Sequence, residues 1–380
     1  MRSGPLNQIR IVEFAGIGPT PFAAMMLADM GADIIRIDRP GGPAVSAGPP
    51  TLDVLNRSRR SIALDLKDPA SIEIATRLCA MADVVLEGFR PGVMERLGFG
   101  PDQLLAANPA LVFARMTGWG QHGPLAHKAG HDINYMAQSG ALGLIGDAKS
   151  PPIPPLNFVA DFGGGATFVV VGILAALVER QTSGQGQVVD AAMVDGSALL
   201  TAQVHGWRAM GFWEDQRSCN LLDGAAYFYR CYQTADGGYL AVGAIEPQFH
   251  AAFITGLGLS IDDFDHQHDR TLWPKRTEHI ATIIRAHDRA TWVERFEAVD
   301  ACVTAVLTLD EASRHPANTD RNLFSAPEDA LQPMPAPRFD RTPGALWRSP
   351  CVPGADGELI RSLLASGISW PPIDSESTDK

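Results

Sequence analysis

Apolar residues in this chain fall into short runs separated by turn residues, and the runs alternate in type from the start. Ile9 to Phe14 is apolar and β-branched, which predicts a strand. Gly16 to Pro21 is a turn with Pro21 at the first helical position, and Phe22 to Met30 is rich in helix formers. Asp33 to Ile37 predicts a second strand, so the opening is a βαβ unit and implies a parallel sheet. The alternation continues with a helix from about Ala70 to Met81 and strands at Asp83 to Leu86 and Leu111 to Met116. A helix from Asp132, a long helix after Asp161, a strand at Gln187 to Val189 and a helix over Ala191 to Val204 follow. Beyond Gly211 the character changes. Tyr227 to Thr234 and Tyr239 to Ile245, joined by Ala235-Asp236-Gly237-Gly238, predict a β-hairpin. Helical patterns at Pro247 to Leu257, Glu278 to His287 and Ala290 to Ala298 complete a second, α+β domain. From Ala326 the prolines at 333, 335, 337, 343, 350 and 353 predict an extended strap rather than core.

Length and charge sharpen this picture. A chain of 380 residues is long for one core and suggests a large and a small domain. The net charge of -12 disfavours nucleic acid and anionic membranes as partners, so an anionic ligand requires a local basic pocket. The cysteines are 79, 219, 231, 302 and 351, odd in number and without a CxxC pair. They argue against a disulfide framework or a zinc site and fit a reducing, cytoplasmic compartment. The opening MRSGPLNQIR has no apolar signal core. Phe162 to Val178 is uncharged but shorter than the roughly 20 residues of a membrane span. It contains three glycines near its start and reads as a buried helix.

Five groups of residues could carry chemistry. Gly16-Ile17-Gly18 follows a strand and Asp38 ends the next, as in dinucleotide sites where an acid holds the ribose. Position 21 is Pro21 instead of the third glycine and offers no N–H to a pyrophosphate, which favours a plain strand-to-helix turn. Arg36, Arg39, Arg57, Arg59, Arg60, Lys67 and Arg90 concentrate positive charge near the N-terminus. Guanidinium forks match phosphate oxygens; a solvated face accounts for the same residues. Ala129-Gly130-His131-Asp132 reads as a helix start, where backbone N–H groups can face a developing oxyanion. A lone histidine there also serves as a structural residue. Asp161, followed by Gly163, Gly164 and Gly165, either caps the long helix or is a carboxylate in apolar surroundings that glycines open to a ligand. Glu246 stands before Pro247 at a strand-to-helix joint, on the plain reading a first-turn acid.

Blocks in order along the chain carry a resemblance: IVEFAGIGPTPFAAMMLADMGADIIRIDRP, ALDLK, ARMTGWGQHGP, AGHDINY, PPLNFVADFGGG, GQGQVVDAAMVDGS, NLLDGAAYFY, VGAIEPQF and QPMPAPRF. From about Gly4 to Phe339 the chain resembles family III CoA-transferases, and specifically their α-methylacyl-CoA racemase branch. In transferases of the family the AGHDINY segment resembles GYD, and the aspartate matching Asp161 is an acylated nucleophile. A histidine there points to the racemase branch, with the transferase as the alternative. Thr20, Ala225, Tyr227 and Ala305 depart from the racemase pattern, and none is an acid/base residue.

The resemblance implies an α/β fold with a Rossmann-like large domain over 1–200, completed by about 326–380. It implies linkers at 201–225 and 316–325, a small α+β domain at 226–315, and two chains interlocked as a homodimer. It implies lipid-type acyl-CoA chemistry in which His131 and Asp161 move the proton, Glu246 orients the imidazole, and Asp132 fixes the turn whose N–H meets the enolate oxygen. Coenzyme A is implied at Arg39, Leu64, Asp65, Leu66, Lys67, Arg90, Gly130, Ile133, Asn134 and Tyr135. The coenzyme is part of the substrate, and neither a separate cofactor nor a metal is implied.

Overall fold

The structure is a computed structural model that describes residues 3–41, 48–327, 330–368 and 370–371. Contacts divide the chain into two compact units. The first draws on Met1–Ser139, Pro155–Leu200 and Asp320–Lys380, the second on Gly140–Pro154 and Thr201–Thr319.

The first unit is built on six parallel strands: β1 (Arg10–Phe14), β2 (Asp33–Asp38), β3 (Arg60–Ala63), β4 (Val84–Glu87), β5 (Val112–Thr117) and β6 (Val188–Ala192). Their order is β3-β2-β1-β4-β5-β6, so the winding reverses between β1 and β4. Strands β2, β4 and β5 are buried along their whole length, as near-continuous apolar runs in a parallel sheet require. The charged residues among them are neutralised in place. Arg59 lies 3.2 Å from Glu13, Arg60 2.8 Å from Asp33, and Arg115 3.1 Å from Glu87. Deleting one partner of such a pair strands a buried charge, at a cost of about 3–5 kcal/mol. Strand β3 has no apolar pattern that predicts it, because its sequence is Arg-Ser-Ile-Ala; Arg60 is admitted with the help of Asp33 and the Pro371 carbonyl.

Two expectations about local structure are corrected. The first helix, Pro19–Asp29, starts two residues early, so Pro19 rather than Pro21 takes the first helical position behind Gly18 at φ +68°. The proline-rich C-terminal stretch is not merely a strap. It ends in a helix, Gly357–Ala365, whose Ile360 and Leu364 join the core with Trp370. The prolines on either side, Pro353 before it and Pro371 after it, conceal this helix of nine residues.

Asp161 is not an N-cap. The helical run opens at Phe158, with Asn157 in the cap position, and Phe158–Ala166 winds as a π-helix before the α-helix Thr167–Ser183. Nor do its central glycines stand open for a ligand. A Cβ on Gly164 would sit 2.7 Å from the Ser197 nitrogen, and one on Gly196 would sit 1.8 Å from the Gly164 oxygen. The glycines let the π-helix lie backbone to backbone against the helix Met193–Leu200. The run Phe158–Ser183 is long and apolar enough to cross a membrane, with a mean hydropathy of 1.9 over an 18-residue stretch of it. It buries one face, through Val169, Val170, Ile173 and Leu177, while Val171 and Val178 are exposed.

The second unit has three antiparallel strands, β7 (Tyr229–Gln233), β8 (Tyr239–Gly243) and β9 (Val303–Ala305). The expected hairpin joins β7 to β8, turning at Gly237 with φ +81°. Helices Pro247–Gly256, Trp273–Ile284 and Arg289–Glu297 cover one face through Phe253, Ile280, Trp292 and Phe296. Arg217 ties in Gly140–Pro154 by donating to the carbonyls of Asp147 and Ser150, at 3.2 and 2.9 Å.

Candidate active site

His131 immediately precedes the helix Asp132–Ser139, and its backbone N–H donates to Asn134 Oδ1 at 3.0 Å, closing the first turn. The imidazole is exposed. The next residue turns inward. Asp132 is buried, and its Oδ2 accepts from the backbone N–H of both Ala160 and Asp161, each at 2.8 Å. One carboxylate oxygen therefore fastens the start of the histidine's helix to the π-helix that carries Asp161. The Asp132 backbone N–H has no acceptor among the described residues.

Asp161 is half-buried. Its Oδ2 accepts from Asn157 Nδ2 at 3.4 Å and lies against Gly18, where a Cβ would stand 3.2 Å away. Phe162 stacks on Phe22 at 4.3 Å, which walls the same end with apolar surface. Burial pushes the Asp161 carboxyl above its ordinary range; the bond from Asn157 opposes this, the Asp132 charge adds to it, and His131 opposes it. A carboxylate whose proton affinity is raised by burial is suited to give and take protons.

Tyr135 is the buried wall behind the histidine. Its hydroxyl donates to the Gly130 carbonyl at 2.5 Å, and its ring meets Trp119 edge-on at 4.8 Å. Gly118 and Gly130 leave room for that ring, since a Cβ on either would fall within 2.7 Å of it. Burial pushes the Tyr135 hydroxyl up to about 12, with Asp161 adding and Arg90 opposing, so these groups share one field. Tyr135 is thus a structural member of the site rather than an acid. Ile133 and Asn134 are exposed on the first turn of the same helix.

A cavity of about 810 Å³ opens at the carboxyl ends of β1 to β4, where the strand order reverses. Open α/β sheets bind ligands at this place. Arg39, Leu64, Asp65, Leu66 and Lys67 line it, as do Gly16 and Ile17, which lead to Gly18 and Asp161. Arg39 and Lys67 are exposed and make no ion pair among the described residues. Four other cations of the N-terminal set do not serve as a basic patch: Arg36, Arg57, Arg59 and Arg60 are buried against Asp38, Asp29, Glu13 and Asp33, while Arg90 is exposed but does not line the cavity. Asp38 is likewise occupied, by Arg36 and by Ser61 Oγ. Cys351 and Pro353 complete the lining from far along the chain, with no local motif to announce them. Among the described residues no group of three or more His, Cys, Asp or Glu side chains could hold a metal ion.

Glu246 belongs to the second unit. It is exposed at the N-cap of Pro247–Gly256 and makes no capping hydrogen bond, so its carboxylate is not used by its own helix.

Comparison with known proteins gives one picture. CoA-transferase family III matches residues 6–357. The chain is 45% identical to alpha-methylacyl-CoA racemase of Mus musculus over 359 residues, covering 94% of this chain and 92% of that protein. It is also 45% identical to alpha-methylacyl-CoA racemase of Homo sapiens over 381 residues, covering 99% and 97%. A CAIB/BAIF family protein from Brucella suis has the same fold, with a TM-score of 0.81 at 24% identity over 96% of this chain and 100% of that one.

Proposed function

The chain belongs to CoA-transferase family III, and from that membership we propose that it is a racemase inverting the carbon beside the thioester carbonyl of a 2-methylacyl-CoA. The observation that supports the reading is that Asp132, the residue after His131, accepts from the backbone N–H of Asp161, whose carboxyl is influenced by His131. Inversion removes a proton from one face of the carbon and delivers one to the other. A single base tends to return the proton to the face it left, so two groups are needed, one ionised and one protonated. Asp161 as carboxylate abstracts while protonated His131 delivers; in the reverse direction the roles exchange. The Asp132 N–H receives the enolate oxygen, and a donor of this kind is worth about 10²–10³-fold in rate.

Coenzyme A occupies the cavity at the β1/β4 reversal. Arg39 and Lys67 meet its phosphates, and the pantetheine arm runs over Gly16 and Ile17 toward Asp161. The working unit is a homodimer of interlocked chains, a reading supported by apolar side chains left exposed on the first unit, Phe158, Val171, Val178, Leu199 and Leu200 among them. The five free cysteines support a cytoplasmic, reducing setting. No cofactor beyond the substrate's own thioester is required by this chemistry.

The decisive experiment supplies one epimer of a 2-methylacyl-CoA in D₂O, with and without a free carboxylic acid. Loss of optical purity with deuterium at C2 and no need of the acid is the expected result. CoA appearing on the acid without C2 exchange would instead make Asp161 an acyl-accepting nucleophile.

A further inference from the structure

The proton-transfer scheme leaves unused a fully buried carboxylate beside the coenzyme cavity. Glu87 is the last residue of β4 and is 0% exposed. Its Oε2 accepts from the Phe89 backbone N–H at 2.7 Å, and its Oε1 accepts from Arg115 Nε at 3.1 Å. Arg115 in turn donates to Glu95 at 2.8 Å, so one guanidinium is held between two carboxylates. The turn that Glu87 holds is Gly88-Phe89-Arg90. Phe89 lines the cavity and meets Phe14 edge-on at 6.5 Å, and Arg90 follows it, within the field of Tyr135.

We infer that Glu87 is a positioning residue for the coenzyme: its ionised carboxylate, bridged to Arg115, fixes the Phe89–Arg90 turn in the form that binds, so coenzyme affinity depends on the charge of a residue that never touches the ligand. This inference rests on the reading of the cavity as the coenzyme site. The charged groups facing Glu87 are Arg115 from β5 and Glu95 from the helix Val93–Arg96. Glu13 on β1 is paired elsewhere, with Arg59. Burial pushes Glu87 up to about 7, against the Phe89 and Arg115 bonds that lower it, while Glu95 adds to the rise. A protonated Glu87 cannot both bridge the guanidinium as an anion and accept from Phe89, so the binding form is the one present at higher pH. By reciprocity, bound coenzyme favours the ionised form.

The test is the dissociation constant of free CoA, measured by calorimetry from pH 5.5 to 8.5 on the full-length protein. The coenzyme's phosphate protonates in the same window, but it does so in every variant, so the Glu87 contribution is the difference between profiles. In the parent, affinity should weaken about fivefold more between pH 8 and pH 6 than in E87Q, within the tenfold per pH unit that one proton allows. E87Q should bind weakly at all pH values, with kcat at saturation close to the parent's. Should E87Q fold poorly, E95Q replaces a largely exposed residue. It removes the charge that raises Glu87 and leaves Arg115 to Glu87 alone, so the midpoint of the profile moves to lower pH. An E87Q profile parallel to the parent's, or an E95Q midpoint that stays or rises, overturns the inference. The joint variant R39A/K67A separates this from the underlying reading. If it binds CoA as the parent does, the cavity is not the coenzyme site; if it binds weakly while E87Q keeps the parent's profile, only the role of Glu87 fails.

Discussion

Asp132 Oδ2 lies 2.8 Å from the backbone nitrogen of Asp161, so the two acidic residues are linked by the side chain of one and the main chain of the other. Each helix start is positioned by the other, and the histidine next to Asp132 inherits that placement.

Replacing Asp132 should therefore damage catalysis more than binding. D132A leaves the N–H groups of Ala160 and Asp161 without their acceptor. Stranded buried donors cost about 1–3 kcal/mol each, and a displacement of about 1 Å at a reacting group costs about 10²-fold in rate. The expected result is a lower melting temperature and a kcat down about a hundredfold, with CoA affinity nearly unchanged. Parent-like kcat would show that the link does not position Asp161.

The pH profile should report on Asn157. Asp161 must be ionised to abstract, and burial raises its proton affinity while Asn157 opposes this. N157A removes the opposing donor, so Asp161 holds its proton to higher pH and activity is lost earlier on acidification. The acid limb of kcat/KM should therefore move up. A limb that moves down, or not at all, contradicts the assignment of Asp161 as the titrating base.

Two glycines make a matched pair for stability. G196A places a methyl group 1.8 Å from the Gly164 carbonyl, between two backbones that cannot flex away. Overpacking costs about 1–3 kcal/mol or more, and here it pushes on the segment bearing Asp161. G206A meets nothing within 4 Å in its helix and should be stabilising by about 0.4–1 kcal/mol. Thermal melts of the two variants should move in opposite directions.

The second unit should lose stability in mild acid. His250 is buried, with Nε2 2.8 Å from the Tyr227 hydroxyl, and burial pushes its pKa from 6.5 down to about 4, helped by Arg276 and His268. The unfolded chain binds a proton between pH 6.5 and 4 that the folded chain refuses, so stability is full above 6.5 and falls as pH drops through that window. At about 1.4 kcal/mol per unit the loss is on the order of 3 kcal/mol. Denaturant titrations at pH 7 and pH 5 should show about 2 kcal/mol of this loss, and H250Q should flatten it; an equal slope in both proteins would locate the acid sensitivity elsewhere.

What sequence reveals here follows from whether a residue's partner is near. Strands β1, β2, β4 and β5 announce themselves because burial on both faces selects near-continuous apolar runs. Strand β3 does not, since Arg60 becomes a core residue with the help of Asp33 and Pro371. The seven cations look alike in sequence, yet four are consumed by carboxylates on other elements, and only their three-dimensional pairing separates them from Arg39 and Lys67. His131, Asp132 and Asp161 stand out through their motifs, but the π-helical winding around Asp161 and the bond from Asp132 have no local signature. Glu87 has no signature in sequence, because a lone acid at a strand end is ordinary and only its burial sets it apart.

The edge at β3 also sets an order of events during synthesis. Ser58 accepts from Trp347, Ser61 from Gly354, and Arg60 donates to Pro371, across separations of 289 to 311 residues. A ribosome that has made β1 to β6 has not yet made the residues that satisfy this edge. The nascent first unit must wait for the bonds to this edge until Trp347, Gly354 and Pro371 emerge, whereas Thr201–Thr319 of the second unit is one continuous stretch and can form its core beforehand. Chains stalled before Trp347 should therefore show protease resistance in the later-made unit first, reversing the order in which the two are encoded.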